Sequence, residues 1–140
     1  AEGLTPSQFD NLVIRPTQKI ISRIRAAGIT VPIIGFPRGA GMNIPRYTKQ
    51  TEVSAIALGT AVPMAEMRPL LPKGIATQGN LDPLALRIGG ETLRRAVDDV
   101  LRSIEGPHIF NLGHGVAPDV KIENVQAVIN HVRTGEGHYV

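Results

Sequence analysis

Residues 53–58, Val53-Ser54-Ala55-Ile56-Ala57-Leu58, are apolar apart from one serine, and residues 31–36, Val31-Pro32-Ile33-Ile34-Gly35-Phe36, have the same character. Neither run alternates polar with apolar positions, which is the pattern of a strand covered on both faces. Two further short runs follow: Gly74 to Thr77, leading into a Gly-containing loop at Gln78-Gly79-Asn80, and His108 to Leu112, leading into Gly113-His114-Gly115. Helical spacing fills the intervals. The order α-β-α-β-α-β-α-β-α predicts four parallel strands joined through helices. A closed (β/α)8 barrel typically takes ~250 residues. At 140 residues the chain fits a small open α/β sheet or half of a barrel, and composition does not separate the two.

The first helical segment has Thr5 as N-cap, Pro6 at the first helical position and Gln8 three residues after the cap, a capping-box pattern. Pro16 interrupts its apolar spacing, so a kink or two shorter helices is expected there, and Gly28 is placed to end it. After Gly90, the residues Leu93, Ala96, Val97, Val100, Leu101 and Ile104 form a continuous apolar stripe that stops at Gly106. Ile122, Val125, Val128, Ile129 and Val132 make a weaker one, and residues 134–140 read as a frayed polar tail.

The composition narrows the function classes. There is no cysteine, which removes disulfides, thiolate nucleophiles, iron–sulfur clusters and cysteine-ligated zinc. No apolar run approaches the ~20 residues needed to cross a bilayer, and the opening residues lack the marks of a signal peptide. The net charge is +3 and aromatic residues make up 4%, a balance that suits a small polyanion better than a nucleic acid. No His/Asp/Glu set has metal-ligand spacing. No G-x-S-x-G elbow is present.

In parallel α/β folds the functional groups sit in the loops where strands end. Pro37-Arg38-Gly39-Ala40-Gly41 offers backbone N–H groups and one forked cation, the parts of an anion cradle; a plain turn with a solvated Arg38 is the competing reading. In Gln78-Gly79-Asn80-Leu81-Asp82-Pro83, Gly79 permits close backbone approach, Asn80 supplies both donor and acceptor, and Asp82 reads as the cap of the next helix. His114, held between two glycines at a strand end, has an imidazole free to reach a ligand, against the bland reading of a structural histidine. His108, His131 and His138 have no such setting and read as ordinary core-edge or surface residues.

The run Gln78 to Pro83, followed by Pro107-His108-Ile109-Phe110-Asn111-Leu112-Gly113-His114-Gly115, then by Pro118-Asp119 and a helix containing Glu123-Asn124-Val125, closely resembles the carboxy-terminal part of the uroporphyrinogen decarboxylase family. The opening Ala1 to Phe9, the strand Val31 to Phe36 and the segment Gly59-Thr60-Ala61-Val62-Pro63 resemble it in the same order, so the likeness covers essentially the whole chain. It implies a (β/α)8 barrel, a homodimer and a cofactor-free, cytoplasmic carboxy-lyase. Such an enzyme takes carbon dioxide from the four acetate side chains of uroporphyrinogen, giving coproporphyrinogen on the route to haem. Residues 1–140 are then expected to be a single partial domain, the second half of that barrel.

The family's catalytic Asp, arginines and Tyr belong to the first half, so the resemblance implies no catalytic residue in this chain and no activity for it alone. From the family's contact set only His114 carries over, as a donor to a substrate carboxylate. Asn80, Gly79 and Arg38, from their strand-end positions, complete the expected substrate-binding set. No metal, cofactor, nucleic acid or membrane is expected. One residue departs from the family pattern: Gly59 stands where an Asp is usual. Corrinoid-linked methyltransferases share the barrel but use zinc held by His and Cys, which the absence of cysteine argues against. A non-enzymatic half-barrel that binds a small anion or a protein partner is the alternative.

Overall fold

The computed structural model describes residues 1–134. Four strands, β1 (Ile34–Gly35), β2 (Ala55–Ala57), β3 (Ala76–Leu81) and β4 (His108–Leu112), form one sheet in that order, and every neighbouring pair is parallel. Helices occupy each interval, as parallel pairing requires. They are α1 (Pro6–Phe9), α2 (Arg15–Ala26), α3 (Ile44–Thr51), α4 (Met64–Met67), α5 (Pro83–Ile88), α6 (Gly90–Arg102) and α7 (Ile122–Thr134). The fold is the α/β arrangement of parallel strands and helices that four consecutive units of a (β/α)8 barrel give. Among the described residues no helix is long and apolar enough to cross a membrane.

Local chemistry accounts for the elements. The Thr5 side chain accepts from the Gln8 amide at 3.3 Å, and the Gln8 side chain accepts from the Thr5 amide at 2.9 Å, so the expected capping box starts α1. Pro16 does not break the helix. The turn before it widens instead: residues 10–14 form a π-helical segment, and the Arg15 N–H reaches back to the Asp10 carbonyl while Pro16 has no proton to donate. Asp82 caps α5 by accepting from the Leu84 amide at 2.9 Å.

Two apolar clusters lie between sheet and helices. One gathers Phe9, Ile14, Ile44, Tyr47, Ile56, Leu58 and Met64 beneath β1 and β2. The other gathers Leu81, Leu86, Leu93, Val97 and Leu101 with Phe110, Leu112, Val128 and Val132 beneath β3 and β4. The stripe after Gly90 is therefore the buried face of α6. Asp98 ties α6 to α7, with its Oδ1 2.6 Å from His131 Nε2 and its Oδ2 3.0 Å from Arg94 Nη1.

Three boundaries differ from the sequence expectation. The first strand shrinks from Val31–Phe36 to Ile34–Gly35. Pro32 has no amide proton, and the Ile33 N–H is taken by the Ser54 hydroxyl at 3.1 Å rather than by a ladder partner. That strand is not covered on both faces either, since Val31 is 60% and Ile34 45% exposed. The expected loop Gln78-Gly79-Asn80 is strand: its residues pair with Ile109, Phe110 and Asn111, so the turn comes only at Asp82. Thr134, placed in the frayed tail by sequence, is the last residue of α7, and residues 135–140 lie outside the described residues.

Candidate functional site

The loops that follow β1, β2 and β4 meet at one end of the sheet around a cleft of about 660 Å³. After β1 the chain turns tightly, with the Arg38 amide on the Phe36 carbonyl at 2.9 Å and the Ala40 amide on the Pro37 carbonyl at 3.0 Å. Ala40 is buried and anchors the loop, which leaves the Arg38 side chain exposed at the cleft. Among the described residues Arg38 makes no ion pair, so its guanidinium is available to an anion. Glu2 also lines this cleft.

His114 stands two residues beyond the end of β4 and lines the cleft with the Arg38 loop. The Gly115 N–H donates to His114 Nδ1 at 2.8 Å, which places the ring proton on Nε2 and makes that nitrogen a donor. Gly113 has to be glycine: a Cβ there would overlap the Thr60 backbone nitrogen, with the Thr60 hydroxyl 2.5 Å away. Gly59, by contrast, has room, since a Cβ would meet only the Gly113 carbonyl oxygen at 3.7 Å. A side chain at position 59 is thus compatible with the loop, and its absence leaves the mouth of the cleft without a carboxylate at that point.

Asn80 and Gly79 do not line the cleft. The Asn80 amide donates to the carbonyl oxygens of Gly59 at 3.2 Å and Val62 at 2.6 Å, behind the cleft wall. Gly79, with φ +125°, lies so close to β2 that a Cβ would sit 2.7 Å from the Leu58 carbonyl oxygen. The structure thus brings Arg38 and His114 together and sets Asn80 and Gly79 one layer behind them.

Of the other histidines, His131 pairs with Asp98, and His138 lies outside the described residues. His108 is half-buried at the opposite end of the sheet, its Nδ1 2.8 Å from Thr77 Oγ1 and its Nε2 buried without a hydrogen-bond partner among the described residues. Burial pushes its imidazole below the usual histidine range; the Gly79 backbone acts the other way, and the Arg68 charge adds to the lowering. Sequence reasoning missed the Thr60 lining and its contact with Gly113; the only available signal was a glycine on each side of the joint. Among the described residues no group of three or more His, Cys, Asp or Glu is arranged to hold a metal.

Residues 1–135 match the family described as uroporphyrinogen decarboxylase. The chain is 52% identical over 134 residues to the uroporphyrinogen decarboxylase of Maricaulis maris and 48% identical over 134 residues to that of Hyphomonas neptunium, in each case over 95% of its length. It is 48% identical over 137 residues, 97% of its length, to that of Caulobacter vibrioides. It spans 39%, 39% and 38% of those relatives respectively.

Proposed function

The chain belongs to the uroporphyrinogen decarboxylase family, and from that premise we propose that it forms the carboxylate-holding side of the active cleft of a uroporphyrinogen decarboxylase. The observation that carries this reading is the placement of Arg38 and His114 on one cleft with no bound carboxylate competing for Arg38 among the described residues. Arg38 offers a forked cation and His114 an Nε2 donor, which together suit the acetate and propionate groups of a polycarboxylate. Asn80 and Gly79, expected in the same binding set, contribute from behind the lining.

In the proposed reaction a pyrrole carbon is protonated and becomes an electron sink. The C–C bond to the carboxylate breaks, its electron pair enters the ring, carbon dioxide leaves, and a second proton completes the methyl group as the ring proton is lost. An acid to protonate the ring and an anion to stabilise the cation are needed. Arg38 and His114 supply neither, so their part is to bind and orient. The rest of the proposal follows the family: a cytoplasmic homodimer without a cofactor.

The test is an anaerobic assay of the complete protein that contains residues 1–140. Coproporphyrinogen formed from uroporphyrinogen supports the reading. A folded complete protein that binds polycarboxylates without releasing carbon dioxide overturns it in favour of a non-enzymatic anion-binding barrel.

A further inference from the structure

We propose that Asn80 is a positioning residue, whose side-chain amide locks the Gly59–Val62 turn against Gly113 and thereby sets where His114 stands in the cleft. A carboxamide has two N–H donors, and Asn80 spends both on one turn, on the carbonyls of Gly59 and Val62. The same turn is closed by the Val62 amide on the Gly59 carbonyl at 3.0 Å. Asn80 therefore grips the turn at both ends. Thr60 lies between those ends and sits so close to Gly113 that a Cβ there would be 2.3 Å from its backbone nitrogen and 2.5 Å from its hydroxyl.

Gly113 is held from its other side by its own amide, which donates at 2.8 Å to the carbonyl of Leu81, the residue next to Asn80. Strand β3 thus fixes both halves of the joint, one through a side chain and the other through the adjacent backbone. His114 follows directly, and among the described residues the one hydrogen bond its ring makes is with Gly115. A side chain that does not reach the cleft surface so controls two of its walls. Aspartate has the shape of asparagine but no proton to donate and would set a charge against two carbonyls. Alanine would leave both carbonyls half-buried and without that donor. The consequence for ligand binding, though not the joint itself, rests on the reading of the cleft as a carboxylate site.

The test compares the 140-residue chain with its Asn80→Asp variant by amide hydrogen exchange and by the nitrogen resonances of the His114 ring, alongside titration with uroporphyrin, the stable oxidised form of the proposed substrate. In the variant the Val62 and Gly113 amides are expected to exchange roughly tenfold faster, the His114 ring resonances to shift, uroporphyrin affinity to fall, and the amides of residues 93–101 in α6 to stay as they were. Gly113→Ala, which forces the joint open from the far side with Asn80 intact, is expected to give the same local pattern. A folded Asn80→Asp whose Val62, Gly113 and His114 signals match the unaltered chain overturns the proposal. So does uniform acceleration that includes α6, which would make Asn80 a residue of the fold in general. If Asn80→Asp does not fold, Asn80→Ser is measured in its place, and failure of both to fold also overturns it. An unaltered chain that binds no uroporphyrin contradicts the carboxylate reading alone, because the exchange pattern still decides the role of Asn80.

Discussion

Arg38 and His114 arise at opposite edges of the sheet, the first after β1 and the second after β4, and line one cleft. Sheet twist and curl bring the ends of the outer strands toward a common centre. In the complete decarboxylase proposed above, His114→Ala or Arg38→Ala each removes one charge-assisted contact worth about 1.5–3 kcal/mol. The ratio kcat/KM is then expected to fall roughly ten- to hundredfold, with residual activity. Complete inactivation of a folded His114→Ala enzyme would assign that histidine a part in proton transfer.

The half-buried His108 gives the fold a pH dependence of known sign. Its folded-state value lies below the ordinary one, because burial, with the Arg68 charge, outweighs the Gly79 backbone that favours the imidazolium. The unfolded chain therefore takes up a proton first as the pH falls. Stability is expected to be full above about pH 6.5 and to decline on acidification toward the lower folded value. Denaturant unfolding between neutral and mildly acidic pH should show that slope, and His108→Gln should flatten it; an identical slope in the variant would assign the dependence to other groups.

Asp98 joins α6 to α7 by accepting from both Arg94 and His131. Asp98→Ala strands a largely buried imidazole and is expected to destabilise the chain by about 1–3 kcal/mol. Asp99→Ala, one residue away, removes only the exposed pair with Arg102, and such pairs contribute little. Urea unfolding of the two variants checks the contrast, and equal losses would contradict it.

Each outer strand has a strand neighbour on one side only, with apolar side chains exposed beside it. Val31 is 60% and Ile34 45% exposed at the β1 edge, and Ile109 in β4 is 43% exposed. Open edges of this kind promote pairing with another chain. A polypeptide of these 140 residues is therefore expected to sediment as a dimer or larger species at micromolar concentration. A monodisperse, folded monomer over a wide concentration range would contradict the expectation.

The existence and order of the elements were legible because burial leaves a period in the sequence: α6 was readable from Leu93 to Ile104, and its N-terminal neighbour α5 from the Asp82-Pro83 cap. Strand lengths were not. At β1 a missing Pro32 proton and the Ser54 hydroxyl shorten the ladder, whereas at β3 the partner strand extends it through Gln78-Gly79-Asn80. The Ser54 hydroxyl and the β4 pairing both come from residues twenty or more positions away. The candidate site was half legible for the same reason. Arg38 and His114 advertise themselves by glycine neighbours at strand ends, but the grip of Asn80 on Gly59 and Val62, like the Asp98–His131 pair, exists only once distant segments are packed.

On the proposed function, residues 1–140 carry groups that hold the substrate and none that move its protons. Anaerobic titration of the purified chain with uroporphyrinogen, followed for both complex formation and product, tests it most directly. Saturable binding that weakens when Arg38 and His114 are both changed to Ala is expected, with no coproporphyrinogen formed. Coproporphyrinogen released by the chain alone, or binding indifferent to both substitutions, would contradict it.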